Sequence, residues 1–591
     1  MSKKLSIINN KKYLIFLYLF LVISFTLFLE APSKPVREGA SPEVFSSIRA
    51  MDHTVKISQK PRPTGSEANE KTRNYIVEEL QKLGLTTKIE GFNGEFDNEF
   101  FKGKIELKNI IGVLEGYDPQ GKSLMLTAHY DSVATGPGAN DNGANVGVLL
   151  EVARALINGP QLKNNVYFVF PDAEEKGLLG ARAFWKNEKY INDIGMVLNF
   201  EARGSKGPSI MYQTSNYNGK LIKEFAQNAS SPVANSFLGD LYKILPNDTD
   251  LTISLDKGIP GMNFAYLDGW EAYHMPFDDV ENVNQSSVQH QGENALAMVD
   301  ALGNINLTNI EEPNQVYFTL FSKLFYYPES FVEPYTLTLF LLTLLLTFYA
   351  LRKKVIHLKG LAESSITVIS TIIISLASCF LLYKLVFLLW ANNMSLFNGA
   401  THYSIFYKVC YVLLTLIIYN LIYQKIKYRV SISEMINTGM WFCLILLFLT
   451  TYFLPGASYL FALPLSILII VFVFLLIFSS NESVLFSKTI IMVVISILPL
   501  ALFTALFHLL FIGLDSLSNI AVVTLIPIIL AILDPINRLI TIRLKAFVLS
   551  TTFLIIILLG ISYGLTVFNE KPVYKNEDIL IEKFESEIIE Y

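Results

Sequence analysis

From about residue 335 to residue 568 the chain is a series of Leu-, Ile-, Phe- and Val-rich runs broken by short polar loops. This pattern constrains the fold more than any other, because backbone polar groups in hydrocarbon must be satisfied internally, which favours helices. Spans read at about 335–351, 364–388, 404–424, 435–454, 458–478, 489–511, 518–534 and 546–568. Each is near the ~20 residues needed to cross a bilayer core. A further apolar run at 13–29 follows Lys3, Lys4, Lys11 and Lys12, bringing the expected spans to nine. A cleaved signal peptide and a retained anchor compete for that first run. Its length and its Glu30-Ala31-Pro32 exit, without an A-x-A site, favour the anchor.

Loop charges set the expected orientation. With the N-terminus inside, the inner loops hold Arg352-Lys353-Lys354, then Lys425, Lys427 and Arg429, then Lys488, then Arg538, Arg543 and Lys545. The outer loops at 391–403, 455–457 and 512–517 hold no Lys or Arg. Lys384 and Lys408, near outer ends, read as snorkelling side chains. His508 and Lys384 lack an acidic partner at matching depth, which argues against transport. Residues 31–330 and the acidic tail 569–591 then face away from the cytoplasm. The three cysteines, Cys379, Cys410 and Cys443, all lie in apolar runs. A disulfide-free ectodomain favours a bacterial cell membrane over an ER lumen. A net charge of −5 without a basic stripe argues against nucleic acid as a partner, and the apolar runs make the lipid bilayer an expected one.

The segment 31–330 has mixed charge and regular turn signals. Helices read at 42–59, 67–83, 142–157, 177–186 and 286–303, and strands near 86–90, 105–115, 123–128, 165–170, 195–200 and 260–267. Strands alternating with helices predict an α/β sandwich around one mixed sheet. His129 and Asp131 follow one strand, Glu174 and Glu175 the next, Glu201 a third, and His274 a fourth. Open α/β sheets bind ligands beyond the carboxyl ends of their strands. Asp141, after Gly136-Pro137-Gly138, can fold back over the same edge.

Without a cysteine, any metal there must be held by His and carboxylate, a donor set that suits zinc. Two-metal hydrolases need a carboxylate shared by both ions and a base for the attacking water. Asp141 can bridge, His129 and Glu201 can complete one ion, and Glu175 and His274 the other. Asp131, two residues beyond His129, is placed to accept the imidazole's second N–H and orient the ring. The Glu pair divides: Glu175 is read as ligand and Glu174 as general base. His53 and His290 fall in helices away from this edge and read as non-catalytic. Asp172, Asp248 and Asp250 read mainly as caps and turns. Arg203 reads either as a contact for a substrate carboxylate or carbonyl or as half of a structural ion pair.

Five segments resemble the M28 family of zinc metallopeptidases: Pro63-Thr64-Gly65-Ser66, Ala128-His129-Tyr130-Asp131-Ser132, Gly138-Ala139-Asn140-Asp141-Asn142-Gly143, Glu174-Glu175-x-Gly-Leu-Leu-Gly180 and Tyr273-His274-Met275-Pro276. The resemblance covers about residues 45–305. It implies a phosphorylase/hydrolase-like α/β fold, two zinc ions on His129, Asp141, Glu175, Glu201 and His274, Glu174 as acid/base, and Asp131 beside the site. Glu201 stands where the family often has Asp, a departure that resembles its membrane-bound branch. The organisation expected is an anchor at 1–30, a peptidase domain at 31–330, an eight-span all-α region at 331–568 and a tail at 569–591. The expected activity is peptide hydrolysis, with an aminopeptidase foremost. Glutaminyl cyclisation, carboxypeptidase action or a catalytically silent ectodomain are the alternatives.

Overall fold

The computed structural model describes residues 2–98, 101–118, 120–245, 247–390, 403–477, 493, 496–538 and 543–568. The chain divides into two compact units. Among the described residues, 30–329 make one, and those up to 29 with those from 330 to 568 make the other. The expected tail at 569–591 and the outer loop at 391–402 lie outside the described residues.

The first unit is built on a seven-stranded sheet. Its strands are β1 (Thr86–Asp97), β2 (Lys102–Leu114), β3 (Ser123–Thr127), β4 (Val166–Phe170), β5 (Ile194–Ala202), β6 (Ile210–Thr214) and β7 (Gly261–Tyr266). They lie in the order β1-β2-β4-β3-β5-β7-β6. The central β4, β3, β5 and β7 are parallel, and β1, β2 and β6 add antiparallel edges. The mixed α/β sheet expected from the sequence is therefore present.

Side chains alternate across a strand, so each buried strand feeds two cores. Leu124, Leu126, Phe168, Phe170, Leu198 and Phe200 point to one face, against the helices Asn145–Ile157 and Gln285–Leu302. Met125, Tyr167, Val169 and Val197 point to the other, against Phe184, Trp185 and Tyr190. The helix Glu67–Lys82 starts where Ser66 accepts the Asn69 N–H, and it buries Ile76 and Leu80.

Several elements differ from the sequence reading. The first hairpin is longer, because β1 and β2 pair from Thr86–Val113 out to Asp97–Lys102. Its outer half alternates half-buried and exposed residues, with little apolar signal. The helix expected at 177–186 covers only Leu179–Phe184, because Glu174 to Leu178 form a turn with left-handed Gly177 and Leu178. The helix expected at 142–157 begins at Asn145, after an irregular turn at Ala139–Ala144. Strand β6 and the hairpin β8 (Gln315–Leu320) to β9 (Lys323–Pro328) are additions.

Among the described residues six helices are long and apolar enough to cross a membrane: Glu329–Arg352, Leu358–Leu389, Ser404–Ile426, Ile432–Phe453, Tyr459–Ile477 and Leu544–Leu565. The other three expected spans correspond to shorter apolar helices, Leu14–Leu29, Ile497–Gly513 and Asn519–Ile532. The last is interrupted between Val522 and Leu525. The span expected at 489–511 begins among residues outside the described set. Lys408 corrects the snorkelling reading. It is 2% exposed, and its Nζ donates to the Phe511 and Leu514 carbonyls at 2.7 and 3.0 Å. Those carbonyls end the helix Ile497–Gly513, where the backbone presents unpaired acceptors and negative potential.

Candidate metal centre

The carboxyl ends of the four parallel strands deliver the site. β3 runs into His129 and Asp131, β4 into Asp172, Glu174 and Glu175, β5 carries Glu201, and β7 leads by a short turn to His274. The Ala139–Ala144 turn folds Asp141 over the same edge, and the Asp141–Asn142 peptide is cis. Gly138 starts that turn at φ +59, and a Cβ there would lie 2.2 Å from the Asp141 carbonyl, so glycine is required. His274 is itself left-handed, at φ 59.

The structure brings together all seven residues singled out in the sequence. The two Asp141 oxygens divide between two imidazoles: Oδ1 lies 3.1 Å from His129 Nε2, and Oδ2 lies 3.3 Å from His274 Nε2. Glu201 Oε2 lies 3.6 Å from His129 Nε2, and Glu175 Oε2 lies 3.0 Å from His274 Nε2. Two donor clusters result, His129-Asp141-Glu201 and Asp141-Glu175-His274, sharing Asp141. Glu174 joins a third grouping with His129 and Glu175, its Oε2 3.9 Å from His129 Nε2. Its side chain is 15% exposed against 1% for His129, so it sits toward the open side.

The electrostatics fit a cation-binding site. Burial raises the carboxyl groups of Glu174 and Glu175 above their usual range and pushes Glu201 up to about 8. Burial also disfavours the charged imidazoles. The surrounding carboxylates outweigh it, raising His129 well above its ordinary value and His274 to about 10. Burial opposes ionisation of Asp141 too, yet its contacts with both histidines hold it below the usual range. Glu175 Oε1 is buried and accepts no hydrogen bond among the described residues. A buried excess of acceptors with an orphaned carboxylate oxygen suits hard or borderline divalent cations.

The supporting residues were only partly legible in the sequence. Asp131 Oδ1 lies 3.3 Å from His129 Nδ1. It also accepts the backbone N–H groups of Glu174 and Glu175, at 3.1 and 3.3 Å. One carboxylate thus aligns the β3 and β4 loops. Asn142 and Asn199 donate to Glu201 at 2.9 and 3.1 Å. Asp278, not singled out, accepts from the Asn140 backbone and side chain and from the Asp141 N–H, at 2.8, 2.8 and 3.1 Å. Burial pushes its carboxyl up to about 7. Arg62 is fully buried and donates to the carbonyls of Tyr130, Pro137 and Gly138, pinning the two ligand loops to each other. Its signal was a lone Arg between Pro61 and Pro63, inside a segment that read only as a helix breaker.

The remaining candidates are not members of the donor clusters. Asp172 accepts from Thr64, Asn69 and the backbone of Lys108 and Ala173, a tie between loops. Asp248 is exposed. Asp250 opens the short helix Asp250–Asp256 but exceeds a cap role, since both carboxylate oxygens are buried without a hydrogen bond. His53 meets Tyr75, and His290 meets Ser209 and Ser231; both lie away from the clusters.

A mixed α/β sheet that offers two His-and-carboxylate clusters sharing one Asp is a metallohydrolase type of site. Residues 109–299 match the profile of Peptidase family M28, so the resemblance read in the sequence holds. Over 276 residues the chain is 29% identical to mouse endoplasmic reticulum metallopeptidase 1, covering 44% of this chain and 31% of that protein. It is 31% identical over 291 residues to the putative endoplasmic reticulum metallopeptidase 1-A of Caenorhabditis elegans, covering 45% and 32%. It is 29% identical over 298 residues to a vacuolar membrane protease of Candida albicans, covering 48% and 33%. The chain spans about a third of the length of these relatives. Among solved structures, an aminopeptidase from Aneurinibacillus sp. strain AM-1 aligns with TM-score 0.39 and 15% identity, covering 46% of this chain and 98% of its own. A Porphyromonas gingivalis glutaminyl cyclase aligns with TM-score 0.37 and 20% identity, covering 43% and 98%.

Proposed function

We propose that this chain is a membrane-bound, two-zinc aminopeptidase. The observation that carries the reading is the division of the Asp141 carboxylate between His129 and His274, with Glu174 beside both clusters. His129, Asp141 and Glu201 would hold one ion, and Asp141, Glu175 and His274 the other. Bound zinc would supply Lewis-acid polarisation and a water acidified to near neutrality. Glu174 is placed to take a proton from the attacking water and to return it to the leaving amine. Burial raises its carboxyl, which favours holding the proton between the two transfers. Asp131 fixes the His129 ring and the Glu174-Glu175 backbone, so base and ligands keep one geometry. The acidic surroundings attract a free N-terminal amine.

The apolar helices support the accompanying topology: an anchor at 1–30, a catalytic unit at 31–330 outside the cytoplasm, eight spans over 331–568 and an outward tail at 569–591, in a bacterial cell membrane. Loop charges carry the orientation.

The test is Glu174→Gln in the full chain, which should abolish hydrolysis of free-amine peptides while zinc content stays that of the parent. Full activity in this variant would remove Glu174 from its role. Parent protein that cleaves only N-blocked peptides, or cyclises N-terminal Gln, would replace the aminopeptidase reading. Parent protein that binds no zinc would leave a silent ectodomain.

A further inference from the structure

Arg203 lies at the same strand end as the metal cluster, two residues beyond Glu201. Its backbone N–H donates to the Tyr266 carbonyl at 3.2 Å, where β5 and β7 leave the sheet. Its guanidinium carbon sits 5.7 Å from the Tyr273 ring centroid and 6.0 Å from that of Trp270. Tyr273 in turn stacks on His274, with ring centroids 3.8 Å apart and planes 20° apart. The cation is thus one aromatic ring away from a candidate zinc ligand. Arg203, Trp270 and Tyr273 are all half-buried.

Among the described residues the Arg203 side chain makes no hydrogen bond and no ion pair. The sequence left open a structural ion pair, and the structure provides no partner for one. Asp268 pairs with Lys206 at 3.9 Å, and Glu175 and Asp141 face His274. A half-buried cation pays a desolvation cost, which the two aromatic faces offset in part. Its planar fork of donors stays available, and that fork matches a carboxylate bidentately.

We infer that Arg203 is a specificity residue that receives a substrate carboxylate on the leaving-group side of the scissile bond. This rests on the aminopeptidase reading and deepens it. A short peptide carries opposite charges at its two ends. The Glu- and Asp-rich cluster attracts the amine, and the uncommitted guanidinium attracts the anion. The substrate class is short peptides whose free α-carboxylate lies one or two residues beyond the cut. An acidic side chain at the same distance offers the same chemistry, and the test separates the two.

The experiment uses the full chain in detergent, loaded with zinc, as parent, Arg203→Met and Arg203→Lys. The substrates are Leu-Gly with a free carboxylate, Leu-Gly-amide and Leu-Glu-amide. Loss of a charge-assisted contact should raise KM for Leu-Gly in Arg203→Met about tenfold or more beyond any rise for Leu-Gly-amide, with kcat little altered. Arg203→Lys should recover part of that difference. A matching rise for Leu-Glu-amide assigns the pocket to acidic side chains as well. A rise on Leu-Glu-amide alone overturns the α-carboxylate assignment. Equal losses on Leu-Gly and Leu-Gly-amide, or none, overturn the inference. Calorimetric binding of Leu-Gly and Leu-Gly-amide to Glu174→Gln, with and without Arg203→Met, gives the same comparison without turnover. If the parent cleaves nothing yet binds the free acid through Arg203, the aminopeptidase reading fails and the carboxylate pocket stands.

Discussion

Asp131→Asn tests how far one buried carboxylate organises the site. Oδ1 faces both His129 Nδ1, at 3.3 Å, and the Glu174 N–H, at 3.1 Å, while Oδ2 faces only the Glu175 N–H, at 3.3 Å. Asparagine keeps one acceptor oxygen. It loses least by placing that oxygen at Oδ1, which turns its NH2 toward the Glu175 N–H. One charge-assisted hydrogen bond then disappears and a half-buried backbone donor is orphaned, a loss of about 1.5–3 kcal/mol. The imidazole also loses its anionic partner and with it some basicity toward a metal. Outer-shell changes of this kind cost about 10–100-fold in metal affinity or activity, the same range. The assays are zinc affinity by competition with a chromogenic chelator, and kcat/KM on an aminoacyl p-nitroanilide. Both should fall together, since one carboxylate serves the His129 ligand and the Glu174 base. Parent-like zinc affinity and kcat/KM would refute the reasoning. So would lowered thermal stability of the zinc-saturated protein as the only effect.

Two further outcomes follow from the geometry and the charges. The metal-free protein should lose stability as pH rises from about 5 to 10. His274 is raised to about 10, so its contribution is complete below its unfolded value near 6.5 and is lost as pH climbs through 10. Glu201 is raised to about 8, so the folded form keeps a proton that the unfolded chain sheds near 4.5, and stability again falls with pH. Melting curves of the chelated full chain at stepped pH check this, and a flat or rising profile would contradict it. For the topology, Tyr117→Cys at a site 63% exposed should react with a membrane-impermeant thiol reagent on intact cells, while Lys353→Cys should not. The native cysteines are buried and should stay silent, and the reverse labelling pattern would invert the orientation.

Periodicity and residue type made the skeleton of this protein legible. The buried strands β3, β4 and β5 are short apolar runs, and their ends carry His129, Glu174, Glu175 and Glu201, whose chemistry is local to the side chain. The outer half of the first hairpin was not legible. Its residues are half-exposed, and long-range pairing fixes their strand state more than any apolar pattern. The same limit hid the shortness of the helix at Leu179–Phe184, which the Glu174–Leu178 turn decides.

Sequence alone determined which side chains could serve as ligands, that the site needs no cysteine, and that much of the chain is apolar enough for a bilayer. Those properties belong to residues and to short windows. Tertiary structure decided which oxygen meets which nitrogen. It placed the two Asp141 oxygens opposite two histidines, gave Asp131 two backbone donors that the sequence did not foretell, and recruited Arg62 and Asp278 from distant segments. Among the described residues it also left Arg203 without a partner acid. Contacts of this kind join positions up to 138 residues apart, and only the order of strands in the sheet brings such positions together.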